Sequence, residues 1–228
     1  MLNILLIDDE IEKTEPFVTY LENERFVTTR VLSGNEGISM ALSGNFDLTV
    51  LDVNIPEISG IEVLSRIRAH STVPIIILSN HGDDIDRIVG FEMGADDYVP
   101  KSCTPRELLA RIRAVLRRKF INNTDDIESL SIIAGPIEVH PKSRIVEYKN
   151  HTLQLTSIEF NLIEILARNV GHIVSKEELS ETALGRPFMR FDRSIDVHIS
   201  SLRQKLGNRD DSRSWIQTVR GKGYQLCP

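Results

Sequence analysis

The sequence predicts an α/β protein in which a doubly wound, five-stranded parallel sheet is followed by an α+β domain. In residues 1–120, five short apolar runs alternate with five helical patterns, which is typical of parallel strands joined by crossover helices. Several of these runs end in charged or polar residues, as strands do at the carboxyl edge of such a sheet. From residue 129 the order changes to short strands followed by helices, which indicates a second domain, residues 129–228. The polar stretch 121–128 has no lysine or arginine and is predicted to be the linker.

The elements of the first domain follow one another with short connections. The predicted strands are residues 3–7, 26–31, the run that ends at Asp52, 73–79 and 96–101, and the predicted helices are residues 11–24, 34–42, 60–69, 83–93 and 104–119. The β-branched run VPIIILS at 73–79 requires burial on both faces, which a central strand of a parallel sheet provides. Thr104 and Pro105 predict the start of the last helix, with Thr104 as the N-cap.

The composition is that of a globular protein with packed cores. Of 228 residues 41% are hydrophobic, and no run approaches the roughly 20 apolar residues of a membrane span. The N-terminus enters an apolar run without a basic leader, so we expect a soluble, cytoplasmic protein. The two cysteines, Cys103 and Cys227, have neither the number nor the spacing of a disulfide framework or a zinc site.

Charge is distributed unevenly along the chain. The net charge of −6 divides into −6 for residues 1–121, −3 for 122–128 and +3 for 129–228, and it reaches +5 within 186–222. An acidic first half argues against a chain that coats nucleic acid along its length. The basic region near the C-terminus is the part that suits an anionic partner.

Polar side chains lie at the ends of four predicted strands of the first domain. They are Asp8 and Asp9, Asp52, Ser79 and Lys101. A lone aspartate such as Asp52 would more often cap the turn that follows it. Because the carboxyl ends of parallel strands meet at one edge of the sheet, however, we expect these residues to converge.

The converging groups suit the transfer of a phosphoryl group to a carboxylate. Asp52 would be the nucleophile and would form an acyl phosphate. Magnesium prefers one or two carboxylates with phosphate oxygens and waters, so we predict Asp9 and Asp52 as Mg²⁺ ligands, with Asp8 acting through water and the backbone carbonyl of Asn54 as a further oxygen. Lys101 would offset the phosphoryl charge.

Ser79 supplies the expected switch. Its hydroxyl would hydrogen-bond a phosphoryl oxygen and move when the phosphoryl group arrives, which turns a local charge event into a distant readout.

Four motifs carry a resemblance to a known family. DDE at 8–10, LDVNIP at 51–56, LSN at 78–80 and GADDYVPK at 94–101 resemble the receiver domain of two-component response regulators. The resemblance covers about residues 1–120 and implies a flavodoxin-like fold and transfer of a phosphoryl group from a histidine kinase to Asp52. One position departs from it, because Ser102 follows Lys101 where the family usually has proline in a cis bond. A trans bond is therefore expected, and it would aim Lys101 differently.

Charges of alternating sign between residues 83 and 118 predict a dimer interface on the fourth helix, fifth strand and fifth helix. By resemblance to the DNA-binding subfamily, the pairs across a symmetric homodimer would be Arg87 with Glu107, Asp97 with Arg111 and Asp96 with Arg113. The alternative is a solvated surface, where such pairs contribute only about 0–1 kcal/mol. Tyr98 would lie beside this face and report the state of Ser79.

The second domain begins with four short strand-like runs, in SIIAG, IEVHP, RIVEYKNH and TLQL. The pair Lys149 and Asn150 fits a hairpin turn. Two capping boxes, Thr156 with Glu159 and Ser175 with Glu178, then predict helix starts.

The C-terminal region combines an amphipathic helix with a basic turn. Residues 193–206 have one apolar side and one basic, small polar side, which suits insertion into a major groove. The turn in TVRGKGY places Arg220 and Lys222 at a tip, where an arginine can enter a minor groove. This ending resembles the winged helix-turn-helix of the OmpR/PhoB subfamily.

That resemblance implies which residues contact DNA. Arg193, His198 and Arg203 would mainly hold phosphates, while Ser200 and Ser201 would face bases. Specificity would depend on Arg203, Arg190 and DNA shape, since the serines cannot read guanine as arginine does. The loop at 184–191 corresponds to the region with which the subfamily contacts RNA polymerase, or it simply joins two helices.

Three functions are compatible with these sequence features. The leading one is a transcription factor, not an enzyme apart from slow autodephosphorylation, whose dimerisation and promoter binding increase when a sensor histidine kinase phosphorylates Asp52. The second keeps DNA binding but makes the first domain a constitutive dimerisation module, as Ser102 suggests. The third is an Asp-dependent phosphatase, which leaves the basic C-terminal region without a role.

Overall fold

The computed structural model describes residues 1–79, 89–120, 131–188, 192–209 and 211–228, with the backbone alone for 117–120. It divides the chain into two compact units, Met1–Leu116 and Arg117–Pro228. The predicted linker, residues 121–128, and most of the helix predicted at 83–93 lie outside the described residues. Within the described residues, no helix is both long and apolar enough to cross a bilayer.

The first unit confirms the predicted parallel sheet. Its elements are β1 (Asn3–Ile7), α1 (Ile11–Asn23), β2 (Val27–Val31), α2 (Gly34–Ala41), β3 (Leu48–Asp52), α3 (Gly60–Arg68), β4 (Ile75–Ser79), the helical residues 89–92 as α4, β5 (Asp97–Pro100) and α5 (Pro105–Phe120). The strand order is β2-β1-β3-β4-β5, and every pairing is parallel. This is the flavodoxin-like order. Successive strands are added toward one edge from β1 to β2 and toward the other edge from β3 onward, so the order of the strands reverses between β1 and β3.

The sheet order explains why the central strands are apolar throughout. Strands β1, β3 and β4 lie inside the sheet with helices to cover both faces, and all five residues of β4 are buried. In β3, Leu51 pairs in register with Ile7 of β1 and Ile77 of β4, and all three side chains are fully buried. Asp52 is therefore delivered to the carboxyl edge between the ends of its two neighbours.

A close approach of backbone to backbone shapes the loop after β3. A Cβ atom on Gly60 would lie 2.2 Å from the carbonyl oxygen of Asp52, so only glycine fits where α3 begins. The hydroxyl of Ser59 accepts the N–H of Glu62 at 3.2 Å and caps the same helix. The loop that carries Asn54 is thereby held against the end of β3.

The second unit begins with an antiparallel sheet and ends with a three-stranded one. Its elements are β6 (Ile132–Ala134), β7 (Ile137–His140), β8 (Ile145–Tyr148), β9 (His151–Thr152), α6 (Ser157–Arg168), β10 (Ile173–Val174), α7 (Lys176–Leu179) with a π-helical continuation (Ser180–Leu184), α8 (Ser194–Leu206), β11 (Ile216–Val219) and β12 (Gly223–Leu226). The sheet orders are β6-β7-β8-β9 and β10-β12-β11. The fold class predicted for the second domain is confirmed.

Local signals in the second unit mark a hairpin turn and two helix starts. Lys149 and Asn150 both have positive φ, 48° and 66°, as the predicted two-residue hairpin turn requires. Thr156 and Glu159 form the predicted reciprocal capping box. Of the second predicted box the structure shows one half, in which the hydroxyl of Ser175 accepts the N–H of Glu178 at 3.0 Å. One core then unites α6, α8 and both sheets, and Trp215 packs into it.

Candidate functional site

A buried lysine joins three carboxylates at the carboxyl edge of the parallel sheet. Lys101 Nζ lies 2.7 Å from Asp52 Oδ2, 2.8 Å from Asp8 Oδ2 and 2.8 Å from Glu10 Oε2. The side chains of Asp8 and Asp52 are fully buried and that of Lys101 is 5% exposed, whereas Glu10 is 31% exposed. The predicted convergence of Asp8, Asp52 and Lys101 is what the structure shows.

Electrostatics keep the lysine charged in this pocket. Burial alone would lower the pKa of Lys101, but its hydrogen bonds to Asp52, Asp8 and Glu10 outweigh burial and raise the pKa above its usual value. Burial raises the pKa of Asp8, against the opposing effect of the Lys101 hydrogen bond. Three acids around one ammonium form a site that attracts a cation.

The acids present oxygens at a spacing that suits a metal ion. Asp8, Glu10 and Asp52 each offer a carboxylate oxygen, and these oxygens all lie within 4.8 Å of one another. An all-oxygen, carboxylate-rich set fits Mg²⁺ better than a softer metal. Asp9, which we predicted as a ligand, is exposed and lies outside this group, while Glu10, which we did not assign, lies inside it. The signal for Glu10 was present, since it is the third acid of the DDE motif.

Backbone contacts orient the two buried carboxylates. Asp52 Oδ1 accepts the N–H of Asn54 at 3.1 Å, and Asp8 Oδ1 accepts the N–H of Glu10 at 2.7 Å. Asp52 thus caps its loop through one oxygen, as the simpler interpretation predicted, and contacts Lys101 through the other. The two roles use different oxygens and coexist.

The remaining predicted site residues lie on β4, β5 and the loop after β5. Ser79 ends β4 and is buried, and its carbonyl accepts the N–H of Lys101 at 2.8 Å. Tyr98 is 8% exposed on β5, where it pairs in register with Ile77 of β4. The bond between Lys101 and Ser102 is trans, as predicted, and Lys101 nevertheless reaches Asp52.

Most side chains predicted at the dimer face have partners within the chain. Arg111 contacts Asp97 Oδ2 at 3.2 Å and Glu107 Oε1 at 3.3 Å, and Arg113 contacts Glu24 Oε2 at 2.6 Å. Arg87 lies outside the described residues.

The assignment of Asp96 to the dimer interface is corrected by the structure. Its side chain is fully buried, and its Oδ2 accepts Arg68 Nη2 at 2.9 Å and the backbone N–H of Ile75 at 2.8 Å. It lies directly before β5, and its carboxylate satisfies backbone and guanidinium donors inside the fold, away from the exposed face.

The exposed side of α8 differs from the prediction at one residue. Arg193 and Ser200 are exposed, and Ser201 is partly buried, where its hydroxyl donates to Glu159 Oε1 at 2.5 Å. His198 is 1% exposed, so its predicted role as a phosphate contact is wrong. It lies three residues after Ile195 and four before Leu202, which places it on the core stripe of the helix.

The hairpin of β11 and β12 displays the predicted basic tip. Arg220 and Lys222 are both exposed, with Gly221 between them at a φ of 71°. A Cβ on Gly223 would lie 2.0 Å from the carbonyl oxygen of Val174, so the hairpin can lie against β10 only with glycine here. Arg190, the other predicted specificity residue, is outside the described residues.

Two internal contact sets fix the orientation of α8. Arg203 donates to the carbonyl of Ile216 at 2.9 Å and to Thr218 Oγ1 at 2.8 Å, which ties the helix to β11. Lys205 Nζ lies 2.6 Å from Glu159 Oε2 at the start of α6. Burial would raise the pKa of Glu159, but Lys205 and the hydrogen bonds to it lower the pKa below its usual value. The sequence predicted Glu159 only as part of a helix cap and did not predict its contacts with Lys205 and Ser201.

The two units define a receiver domain followed by a winged DNA-binding domain, and sequence comparison gives the same class. The family described as response regulator receiver domain matches residues 4–113, and the family described as transcriptional regulatory protein, C terminal, matches residues 150–226. The chain belongs to the response regulator family and carries a C-terminal DNA-binding domain of OmpR/PhoB type. Such an organisation implies a histidine kinase and DNA as partners.

The relatives match along nearly the whole chain. The transcriptional regulatory protein CpxR homolog of Haemophilus influenzae is 44% identical, with 99% of each chain covered. CpxR of Escherichia coli K12 is 40% identical, with 99% of this chain and 98% of its own covered. The segments LGRPF and FDRSIDVHIS predict a similarity to CpxR, and this is confirmed. The solved structure of DrrB, an OmpR/PhoB homologue of Thermotoga maritima, superposes with a TM-score of 0.52 at 28% identity over 100% of both chains.

Proposed function

We propose that this response regulator is phosphorylated on Asp52 by a sensor histidine kinase and then binds paired promoter half-sites as a homodimer. The observation that carries the proposal is the fully buried Asp52 carboxylate, 2.7 Å from Lys101 at the carboxyl edge of the sheet. We assign residues 1–120 to the receiver, 121–128 to the linker and 129–228 to the DNA-binding domain. Since its target is promoter DNA, we place the protein in the cytoplasm.

The chemistry follows from the carboxylate cluster. An oxygen of Asp52 attacks phosphorus while the bond from phosphorus to the donor nitrogen breaks, and that nitrogen keeps the electron pair. Asp52 and Asp9 would be the Mg²⁺ ligands, with Asp8 acting through water and the carbonyl of Asn54 adding an oxygen. Asp9 is exposed in the structure and would have to turn toward the group formed by Asp8, Glu10 and Asp52. The ion supplies charge neutralisation for the phosphoryl oxygens. Water later hydrolyses the acyl phosphate, which gives slow autodephosphorylation.

The switch connects the phosphoryl group to the proposed dimer face. Ser79 ends the strand beside Asp52, one residue beyond the Leu78 that pairs with Asp52, so its hydroxyl would be near an incoming phosphoryl group. Tyr98 lies on the next strand and would respond to the movement of Ser79. The intrachain contacts of Arg111 with Asp97 and Glu107 would be exchanged for contacts across the dimer, together with Arg87 and Arg113.

DNA binding is assigned to α8 and the basic hairpin tip. Arg193 and Arg203 would contact phosphates, Ser200 and Ser201 would face bases, Arg190 would contribute to specificity, and Arg220 and Lys222 would contact the backbone or minor groove. Ser201 and Arg203 have internal contacts, so Ser200 is the more available of the two serines. The loop at 184–191 is proposed to contact RNA polymerase.

The proposal is tested on the wild-type chain with DNA selected from a random duplex library. Binding of a fluorescent duplex is measured at fixed salt, with and without Mg²⁺ and a small phosphodonor. Because two linked sites gain avidity, we expect phosphorylation to increase affinity about 100-fold and to convert monomer to dimer in sedimentation. Equal affinity and an unchanged dimer in both conditions would instead establish the constitutively dimeric alternative, which the trans bond at Ser102 favours.

A separate prediction concerns the basic hairpin tip. Replacing Arg220 with Gln is expected to weaken DNA binding about ten-fold and to reduce the salt dependence by about one released counterion, because one phosphate contact is lost. The matched control is Arg213→Gln, since Arg213 is 76% exposed and precedes β11, whereas the tip follows that strand. Binding is measured across several salt concentrations. If both variants bind like the wild type, the tip does not contact DNA.

A further inference from the structure

Glu10 shares Lys101 with the proposed phosphoacceptor. Each of the three short contacts of the ammonium ends on a carboxylate, and Glu10 supplies one of them at 2.8 Å. Asp8 and Asp52 are fully buried, whereas Glu10 is 31% exposed and reaches in from the loop after β1. Glu10 is therefore the member of the cluster that is in contact with solvent.

The position of Glu10 is determined by the backbone around it. Its N–H donates to Asp8 Oδ1 at 2.7 Å, and its carbonyl accepts the N–H of Lys13 at 3.1 Å and the Thr14 hydroxyl at 3.1 Å. These bonds place Glu10 at the N-cap of α1. The side chain starts from an ordered backbone, so its contact with Lys101 costs side-chain entropy but no further backbone entropy.

The two oxygens of Glu10 have different partners. Oε2 contacts the buried Lys101, and Oε1 contacts Lys13 at 2.5 Å, whose side chain is 61% exposed. The Lys13 contact is a surface pair that water and salt screen, so it only weakly offsets the charge of Glu10. The contact with Lys101 is the one that acts inside the site.

The charge of Glu10 has opposite effects on the two species that the site must accept. A divalent cation is attracted by each additional carboxylate near Asp8 and Asp52. A phosphoryl group on Asp52 carries negative charge, is repelled by the same carboxylate and requires the Lys101 ammonium for its own oxygens. Lys101 must therefore leave Glu10 when the phosphoryl group arrives.

We propose that Glu10 is a positioning residue that holds Lys101 in the unphosphorylated site, strengthens cation binding and slows phosphoryl transfer to Asp52. This inference rests on the proposed function, because it assigns a regulatory role at that same site. Glu10 thus affects the Mg²⁺ affinity of the site and the rate of phosphoryl transfer without touching the reacting phosphorus atom.

The test is the conservative substitution Glu10→Gln in the full chain, with two measurements. In calorimetric titration without phosphodonor, we expect Mg²⁺ to bind about ten-fold more weakly. At saturating Mg²⁺, intact-protein mass spectrometry is expected to show phosphorylation by a small phosphodonor about three-fold faster than in the wild type, since Lys101 loses one of its three carboxylate contacts and a repelling charge is gone. Replacing a residue with a merely structural role would not weaken Mg²⁺ binding and at the same time speed phosphorylation.

The matched control is Glu12→Gln, which removes the same charge two residues away on the exposed side of α1. It is expected to bind Mg²⁺ and to be phosphorylated like the wild type. If Glu10→Gln behaves like this control, or if it lowers both Mg²⁺ affinity and the rate at saturating Mg²⁺, the inference is wrong while the proposed function stands. A wild-type chain that takes up no phosphoryl group would overturn the proposed function itself, and the inference with it.

Discussion

Replacing Asp52 with Asn is expected to reduce phosphoryl uptake at least about a thousand-fold, because the amide lacks the nucleophilic oxygen that forms the acyl phosphate. The variant is expected to fold. The amide has the shape of the carboxylate, and Lys101 keeps its contacts of 2.8 Å with Asp8 and with Glu10. The loss of one of three neighbouring acids also relieves repulsion within the cluster. DNA affinity should then no longer respond to phosphodonor.

Uptake is measured by intact-protein mass spectrometry after incubation with Mg²⁺ and a small phosphodonor. The control is Glu57→Gln, because Glu57 is an exposed acid in the loop that follows Asp52 and its replacement removes the same charge outside the cluster. This control should be phosphorylated at the wild-type rate. Undiminished uptake by Asp52→Asn would show that the acceptor lies elsewhere.

Replacing Arg68 with Met is expected to destabilise the receiver by about 3–5 kcal/mol, since it removes the guanidinium that pairs with the buried carboxylate of Asp96. Arg68 is 10% exposed, Asp96 is fully buried, and their atoms Nη2 and Oδ2 are 2.9 Å apart. The same guanidinium also donates to the carbonyls of Gly94 at 2.8 Å and Val73 at 2.6 Å. Its removal therefore leaves several buried acceptors unsatisfied at once.

Urea unfolding distinguishes the two domains of the full chain. Trp215 is the only tryptophan and lies in the second unit, so its fluorescence follows that unit, whereas circular dichroism follows both. Arg66→Met serves as the control, because Arg66 lies two residues before Arg68 in the same helix, is 50% exposed and pairs with Glu62 at the surface. Its cost should stay below about 0.5 kcal/mol. A loss under about 1 kcal/mol for Arg68→Met would contradict the structural role of Asp96.

Local patterns were sufficient for much of the fold and part of the site. The apolar runs predicted all five strands of the receiver, and short-range pairs such as Thr156 with Glu159 predicted helix starts, because caps involve residues three apart in sequence. The meeting of Asp8, Asp52 and Lys101 followed from topology, since parallel strands bring their carboxyl ends to one edge.

Two predicted roles, those of His198 and Asp96, were wrong because burial decides the role of each side chain. His198 was assigned to DNA by resemblance to the OmpR/PhoB subfamily, although its spacing from Ile195 and Leu202 places it on the core side of α8. Asp96 was assigned to an interface because it belongs to an alternating charge pattern, although Arg68 and the N–H of Ile75 hold it inside the fold. Arg68 is 28 residues earlier in sequence than Asp96, so no local pattern connects them.

The sequence by itself determined the doubly wound sheet, the acids and lysine at its carboxyl edge and the basic tip of the hairpin, because these depend on periodicity and topology. It also determined the class of protein, through the resemblance of its motifs to a known family. Only the tertiary structure decided that Glu10 joins Lys101, that Asp96 is a buried partner of Arg68 and that His198 belongs to the core. The physical reason is that a charged or polar side chain takes its role from its burial and from the partners within a few ångströms, and both are set by segments remote in sequence.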